Sequence, residues 1–181
     1  DLEANAIHFL DDMAFIQESH IRELHSGLVE SGLIGKFIWR GLTRAPVIER
    51  FNDETMRRMK ESGAWKIALG IESGSDEILR LIKKRVTTDQ VRSAIKKLTS
   101  FGIQSKGCFI MGFPGETEEQ LMQTRSFLRE LKEEGLTEVA IFQFKPYPGT
   151  EEFQRLEAVN PDLVSLLAYL RKKDTGLSGK A

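Results

Sequence analysis

The chain has 181 residues, 40% hydrophobic and 29% charged, an ordinary balance for a globular protein and enough for one domain with a real core. Its 26 basic and 27 acidic residues leave a net charge of −1, which is no electrostatic footprint for a nucleic-acid partner. No apolar run reaches the roughly 18–20 residues that span a bilayer, no signal-peptide pattern opens the chain, and the single cysteine permits no intrachain disulfide. These features predict a cytoplasmic setting with no membrane partner.

Ala6 to Leu10 is a short apolar run that ends in Asp11-Asp12 and reads as a strand. Ile21, Leu24 and Leu28 follow at helical spacing, with Gly32 where a left-handed cap would close the helix. Lys36 to Arg40 reads as a second strand leading into Gly41-Leu42-Thr43-Arg44-Ala45-Pro46, and a helix with Met56 and Met59 inward stops at Gly63. Lys66 to Ile71 is a third strand ending in Glu72-Ser73-Gly74-Ser75. Ser75 is the expected cap of the next helix, whose ends carry Asp76 and Glu77 on one side and Lys83, Lys84 and Arg85 on the other. Thr87 with Gln90 fits a capping box for a helix whose stripe is Val91, Ala94, Ile95 and Leu98.

Gln104 to Met111 is the fourth strand, too apolar at Phe109-Ile110-Met111 for a half-wet sheet. It runs into Gly112-Phe113-Pro114-Gly115-Glu116, and Thr117 with Gln120 opens a helix expected to bury Leu121, Leu128 and Leu131. Glu138 to Phe142 is a fifth strand, followed by Lys145-Pro146-Tyr147-Pro148-Gly149-Thr150 and a short helix near Glu151. Asn160-Pro161 reads as the start of a last helix ending near Lys173, and Asp174 to Ala181 as a frayed tail. Gly32, Gly63, Gly102 and Gly135 each end a helix and precede a strand, about one strand–helix unit apart. Such alternation implies a parallel sheet with right-handed crossovers, either open or an arc of a barrel.

Polar and glycine-rich residues gather just after the strands, where α/β proteins place their sites. Each group also has a plainer explanation. Asp11-Asp12 can simply turn the chain, Glu72 can be a paired structural carboxylate, and Pro146 and Pro148 can end a strand. Cys108 reads as a small buried apolar residue, His8 and His20 lack a metal-spaced partner, and Met56 and Met59 fill core.

Taken together, the motifs resemble those of the radical S-adenosylmethionine (radical SAM) enzymes. Ile7-His8-Phe9-Leu10-Asp11-Asp12-Met13-Ala14-Phe15 looks like their second strand and Leu69-Gly70-Ile71-Glu72-Ser73-Gly74-Ser75-Asp76-Glu77 like their fourth. Phe109-Ile110-Met111-Gly112-Phe113-Pro114-Gly115-Glu116-Thr117 resembles the fifth, and Pro146-Tyr147-Pro148-Gly149-Thr150 the turn after the sixth. The nearest likeness is to the cobalamin-binding, cyclase-like branch and the group around oxygen-independent coproporphyrinogen oxidase.

The resemblance implies an α/β fold, a partial (β/α)6 TIM-like barrel with about five parallel strands here and the first strand missing. Residues 1–150 would form the barrel and 151–181 a C-terminal helical segment. It also implies S-adenosylmethionine as a small-molecule cofactor, a [4Fe–4S] cluster in a longer parent enzyme, and a substrate that these residues do not identify. These residues leave cobalamin open. By resemblance, Asp11 or Asp12 would meet the methionyl ammonium, and Glu72 and Ser73 the ribose or methionine. Arg44 would take a carboxylate, Gly112 and Phe113 would bring backbone close to the cofactor, and Gln143 and Phe144 would lie near the adenine.

One departure bears on all of this: the CxxxCxxC cluster loop is absent, and the only cysteine, Cys108, lies within a strand. The expectation is therefore a truncated piece that makes no radical alone, with an exposed edge strand prone to self-association. The rival expectations are a cluster-less binding or scaffold module, and a phosphate-binding barrel enzyme using Gly112–Gly115 as an anion loop.

Overall fold

The computed structural model describes residues 5–11, 13 and 15–160. The expected last helix beyond Asn160 and the tail lie outside the described residues. The elements are β1 (Ala6–His8), α1 (Glu18–Glu30), β2 (Ile38–Thr43), α2 (Ala45–Arg50), α3 (Asp53–Glu61), β3 (Ala64–Glu72), α4 (Asp76–Leu81), α5 (Thr88–Ser100), β4 (Gln104–Met111), α6 (Glu118–Glu133), β5 (Glu138–Gln143) and α7 (Glu151–Val159). The five strands pair in sequence order, all parallel, as an α/β half-barrel. The chain divides into two compact units after Gln143; α7 lies in the second, with the Thr150 hydroxyl capping it by accepting from the Phe153 N–H.

Alternation sets the two faces of the sheet. Trp39, Ile67, Leu69, Ile71 and Phe109 are fully buried on the helix-covered face, where they meet Met56, Met59, Val91, Ile95, Leu98 and Leu131. Residues between them in each strand, such as Arg40, Lys66, Ala68, Lys106 and Cys108, face the other way and stay partly open. Trp39 anchors the β1 side. Phe9 and Phe15 pack on its ring at 5.6 and 4.8 Å between centroids, and its indole N–H donates to the Ser62 carbonyl at 2.9 Å. That bond satisfies a polar group buried in the core.

Both expected capping boxes form, at Thr87/Gln90 and Thr117/Gln120. Three details depart from the sequence reading. The second strand is Ile38–Thr43, not Lys36–Arg40, so Gly41-Leu42-Thr43 is strand and not turn, and a separate short helix, α2, opens at Ala45 with Pro46 in its first turn. Pairing with β3 along Arg40–Thr43 decides this, since local propensity at a Gly-Leu-Thr run is weak. Ser75 makes no side-chain cap; its N–H donates to the Ser73 hydroxyl instead. Finally, α6 fully buries Gln120, Thr124, Phe127 and Leu131, with Leu121 and Leu128 only half-buried. The stripe is rotated because α6 seats on Gly74. A Cβ there would lie 2.7 Å from both the Thr124 Cα and the Phe127 Cβ, so only glycine admits the helix at this distance.

Candidate functional site

The carboxyl ends of the strands carry most of the residues singled out from sequence. Asp11 follows β1, Arg44 follows β2, Glu72 ends β3, Gly112 and Phe113 follow β4, and Gln143 ends β5. Register ties neighbours together: Glu72 pairs with Phe109, and Met111, just before Gly112, pairs with Gln143. Phe144 belongs to the second compact unit, and Asp12 lies outside the described residues.

Glu72 is the most unusual of these. Its backbone sits at φ +70°, and the β3–β4 register shifts between Gly70 and Glu72. A non-glycine residue in the left-handed region at a strand end costs of order 1 kcal/mol and collects at functional sites. The kink folds the carboxylate back over Gly70, where it pairs with the Lys84 ammonium. A Cβ on Gly70 would stand 2.8 Å from Glu72 Oε1 and 3.1 Å from Lys84 Nζ, so the pair lies directly over that residue. Arg44 donates from Nη2 to the Lys84 carbonyl at 2.5 Å. Arg44, Lys84 and Glu72 are thus one connected group on the β2–β3 rim. Lys84 was not among the sequence candidates. It looked like a solvated charge at a helix end, and nothing in its spacing announces that Lys83 and Arg85, both at positive φ, turn it inward.

Ser73 stands apart from this group. It is fully buried, and its hydroxyl is within 3.1 Å of the Thr124 hydroxyl and accepts from the Ser75 N–H. It fastens α6 to the end of β3.

At the end of β4, Glu116 Oε2 accepts from the Gly112 N–H at 2.7 Å and the Phe113 N–H at 3.3 Å, which locks the Gly-Phe-Pro-Gly turn. Gly112 has φ +85°, and a Cβ there would meet nothing within 4 Å. The turn therefore presents open backbone, held in shape from behind.

Below the rim, on the inner face of the sheet, lies a cleft of about 290 Å³ lined by His8, Asp11, Arg40, Lys66, Ala68 and Lys106, among others. Glu138 bridges two of its cations, Lys66 at 2.7 Å and Lys106 at 2.6 Å. The Lys106 and Lys66 ammonium groups hold the Glu138 carboxyl down at about 2, well below its ordinary value. These charges were not among the sequence candidates either. Their signal is faint but present: lysines at inward positions of strands that are otherwise apolar.

The rim fits S-adenosylmethionine. Two carboxylates, Asp11 and Glu72, suit an ammonium and a ribose diol, and open backbone at Gly112 suits close approach of a flat purine. An iron–sulfur cluster does not fit these residues. Among the described residues no group of three His, Cys, Asp or Glu is placed to hold a metal ion, and burial pushes the Cys108 thiol up, away from the thiolate a cluster needs.

Comparison with known proteins settles the family. The pattern of the radical SAM superfamily matches residues 11–141. The chain belongs to the radical SAM superfamily. Among curated relatives, an uncharacterized methyltransferase of Pyrococcus horikoshii is 32% identical across 85% of this chain and 32% of its own length. Cytidylyl-2-hydroxyethylphosphonate methyltransferase of Streptomyces wedmorensis is 30% identical across 80% of this chain and 27% of its own. The chain thus spans about a third of the length of these relatives. Among solved structures, the radical SAM methyltransferase TsrM of Kitasatospora setae, with cobalamin and a [4Fe–4S] cluster bound, superposes with a TM-score of 0.70 at 15% identity, over 86% of this chain and 31% of that one. Coproporphyrinogen III oxidase of Escherichia coli gives 0.62 at 13% identity, over 87% and 40%. At such identities the likeness is one of fold. Among the described residues, no helix is long and apolar enough to cross a membrane.

Proposed function

We propose that this radical SAM barrel arc holds S-adenosylmethionine along the carboxyl rim of its sheet. The observation that carries the reading is the Glu72 kink: a strained acidic residue at the end of β3, turned over the inner face, on the strand next to the one that ends in open backbone at Gly112. Asp11 would receive the methionyl ammonium, Glu72 the ribose hydroxyls, and Arg44 the methionyl carboxylate by a forked guanidinium contact. Gln143 would border the adenine. In a full-length parent, a [4Fe–4S] cluster held outside these residues would give S-adenosylmethionine one electron, and the bound cofactor would then supply a 5′-deoxyadenosyl radical for hydrogen abstraction. The residues of this chain bind and orient it, and Cys108 takes no part in delivering the electron. Cobalamin use belongs to the reading as an expectation of the branch that the motifs resemble.

Equilibrium titration of the chain with S-adenosylmethionine, beside a phosphorylated sugar, tests the proposal. Saturable binding of S-adenosylmethionine, weakened about tenfold by Glu72→Gln or Asp11→Asn through loss of one charge-assisted hydrogen bond, supports it. Binding of the phosphorylated sugar alone would move the assignment to a phosphate-binding barrel. Binding of neither would favour a scaffold module.

A further inference from the structure

We infer that the inner face below the rim binds the anionic end of the substrate, a carboxylate or phosphate group, on Arg40, Lys66 and Lys106. The word substrate rests on the radical SAM reading; the anion site itself rests on the geometry alone.

Three consecutive strands each turn a cation into the same cleft: Arg40 from β2, Lys66 from β3 and Lys106 from β4. Small residues, Ala68 and Ala140, stand beside them on the inner face, and the mutually paired Glu72 and Lys84 lie over Gly70. The lysine side chains are 15% and 31% exposed, so both ammonium groups are partly dehydrated. Surface lysines normally keep their heads in water; partly dehydrated cations of one sign need an answering charge. Glu138 answers two of them at once. Among the described residues, Arg40 meets only the His8 ring, its Nη2 lying 3.1 Å from Nδ1. Asp11 is the carboxylate that lines the cleft itself, Glu138 reaching the two lysines from the neighbouring strand. Counting it, the three cations outnumber the two carboxylates among the described residues. If Asp11 is engaged by an ammonium at the rim, the excess grows. A concave wall of low dielectric concentrates such a field and draws in an anion. The guanidinium of Arg40, exposed and forked, suits two oxygens of one group.

Glu138 is then a built-in competitor. It occupies the two lysines in the absence of ligand, and an arriving anion must share them. That gives the proposal an outcome that misfolding cannot mimic. The probes are inorganic phosphate and succinate, titrated separately into the ¹⁵N-labelled chain at low salt and followed by NMR. S-adenosylmethionine is titrated in parallel. The expected result is saturable shifts centred on residues 40, 66 and 106, with the tighter probe naming the anionic group. Arg40→Gln should weaken binding about tenfold, the loss of one charge-assisted contact. Glu138→Gln should strengthen it severalfold by freeing both ammonium groups. Neither variant should change S-adenosylmethionine affinity by more than about twofold. No saturable anion binding, or binding indifferent to both substitutions, overturns the proposal. If S-adenosylmethionine fails to bind while the anion maps to these three residues, the rim assignment falls and the anion site stands.

Discussion

Glu72 and Lys84 close an ion pair over the inner side of Gly70, and the Lys84 carbonyl in turn accepts from Arg44. Their side chains are only 16% and 23% exposed, so the pair is partly shielded from screening. Lys84→Met keeps the length of the side chain and removes its charge, leaving a half-buried carboxylate alone. The expected loss is about 1–3 kcal/mol of unfolding free energy in urea. The Glu72→Gln/Lys84→Met double variant should recover part of that loss, because the stranded charge is gone. Strictly additive losses would show that the two residues do not interact.

Gly74 offers a test of how α6 is seated. Gly74→Ala drives a methyl group to 2.7 Å from the Thr124 Cα, which is backbone and cannot rotate away. Overpacking of this kind costs typically about 1–3 kcal/mol. The helix must shift outward, and the Thr124 hydroxyl then loses the Gly74 N–H at 3.0 Å and the Ser73 hydroxyl at 3.1 Å. Amide hydrogen exchange should therefore accelerate at Gly74 and along the first turns of α6. Unchanged protection there, with wild-type stability, would contradict the close approach.

The sequence made some of this legible and hid the rest for identifiable reasons. Thr87/Gln90 and Thr117/Gln120 were readable because a capping box is a local contract between residues three apart. The parallel order of the strands followed from the strand–helix alternation. Boundaries were lost where tertiary pairing overrides propensity, as at Gly41-Leu42-Thr43 in β2. The α6 stripe was misjudged because leucines advertise burial, whereas Gln120 and Thr124 are buried for their hydrogen bonds to Glu77 and Ser73. Lys84 and the Arg40–Lys66–Lys106 set were hidden for a different reason. A charged residue in sequence carries no sign of which way it points, and only the register of three strands brings those three to one cleft.

Cys108 sits at an inward position of β4, and burial pushes its thiol up from the ordinary value. Less thiolate forms at neutral pH, and the thiolate is the reactive species. An aromatic disulfide reagent at pH 7.5 should modify folded Cys108 at least about tenfold more slowly than a short cysteine peptide. Adding urea to unfold the chain should restore the peptide rate. A folded-state rate equal to the peptide's would mean an exposed, activated thiol, and the exclusion of Cys108 from metal ligation would need revision.

Glu138 ties stability to acid pH with a definite sign. Its folded value of about 2, set first by Lys106 and then by Lys66, lies below the 4.5 of an unconstrained glutamate. Folding therefore favours the ionised form. Its contribution is complete above about pH 4.5 and is lost as the pH falls toward 2. The side chain is 39% exposed, so solvent screening limits the contribution to about 1 kcal/mol or less. Urea midpoints measured at pH 6 and again near pH 3 should converge for the wild type and Glu138→Gln, because at the lower pH the wild type has begun to lose what the variant never had. Glu138→Gln should be the less stable of the two at pH 6. An equal gap at both values would mean that the carboxylate titrates normally and that the two lysines are not held by it, which would also remove the competitor on which the anion site's gain-of-affinity variant depends.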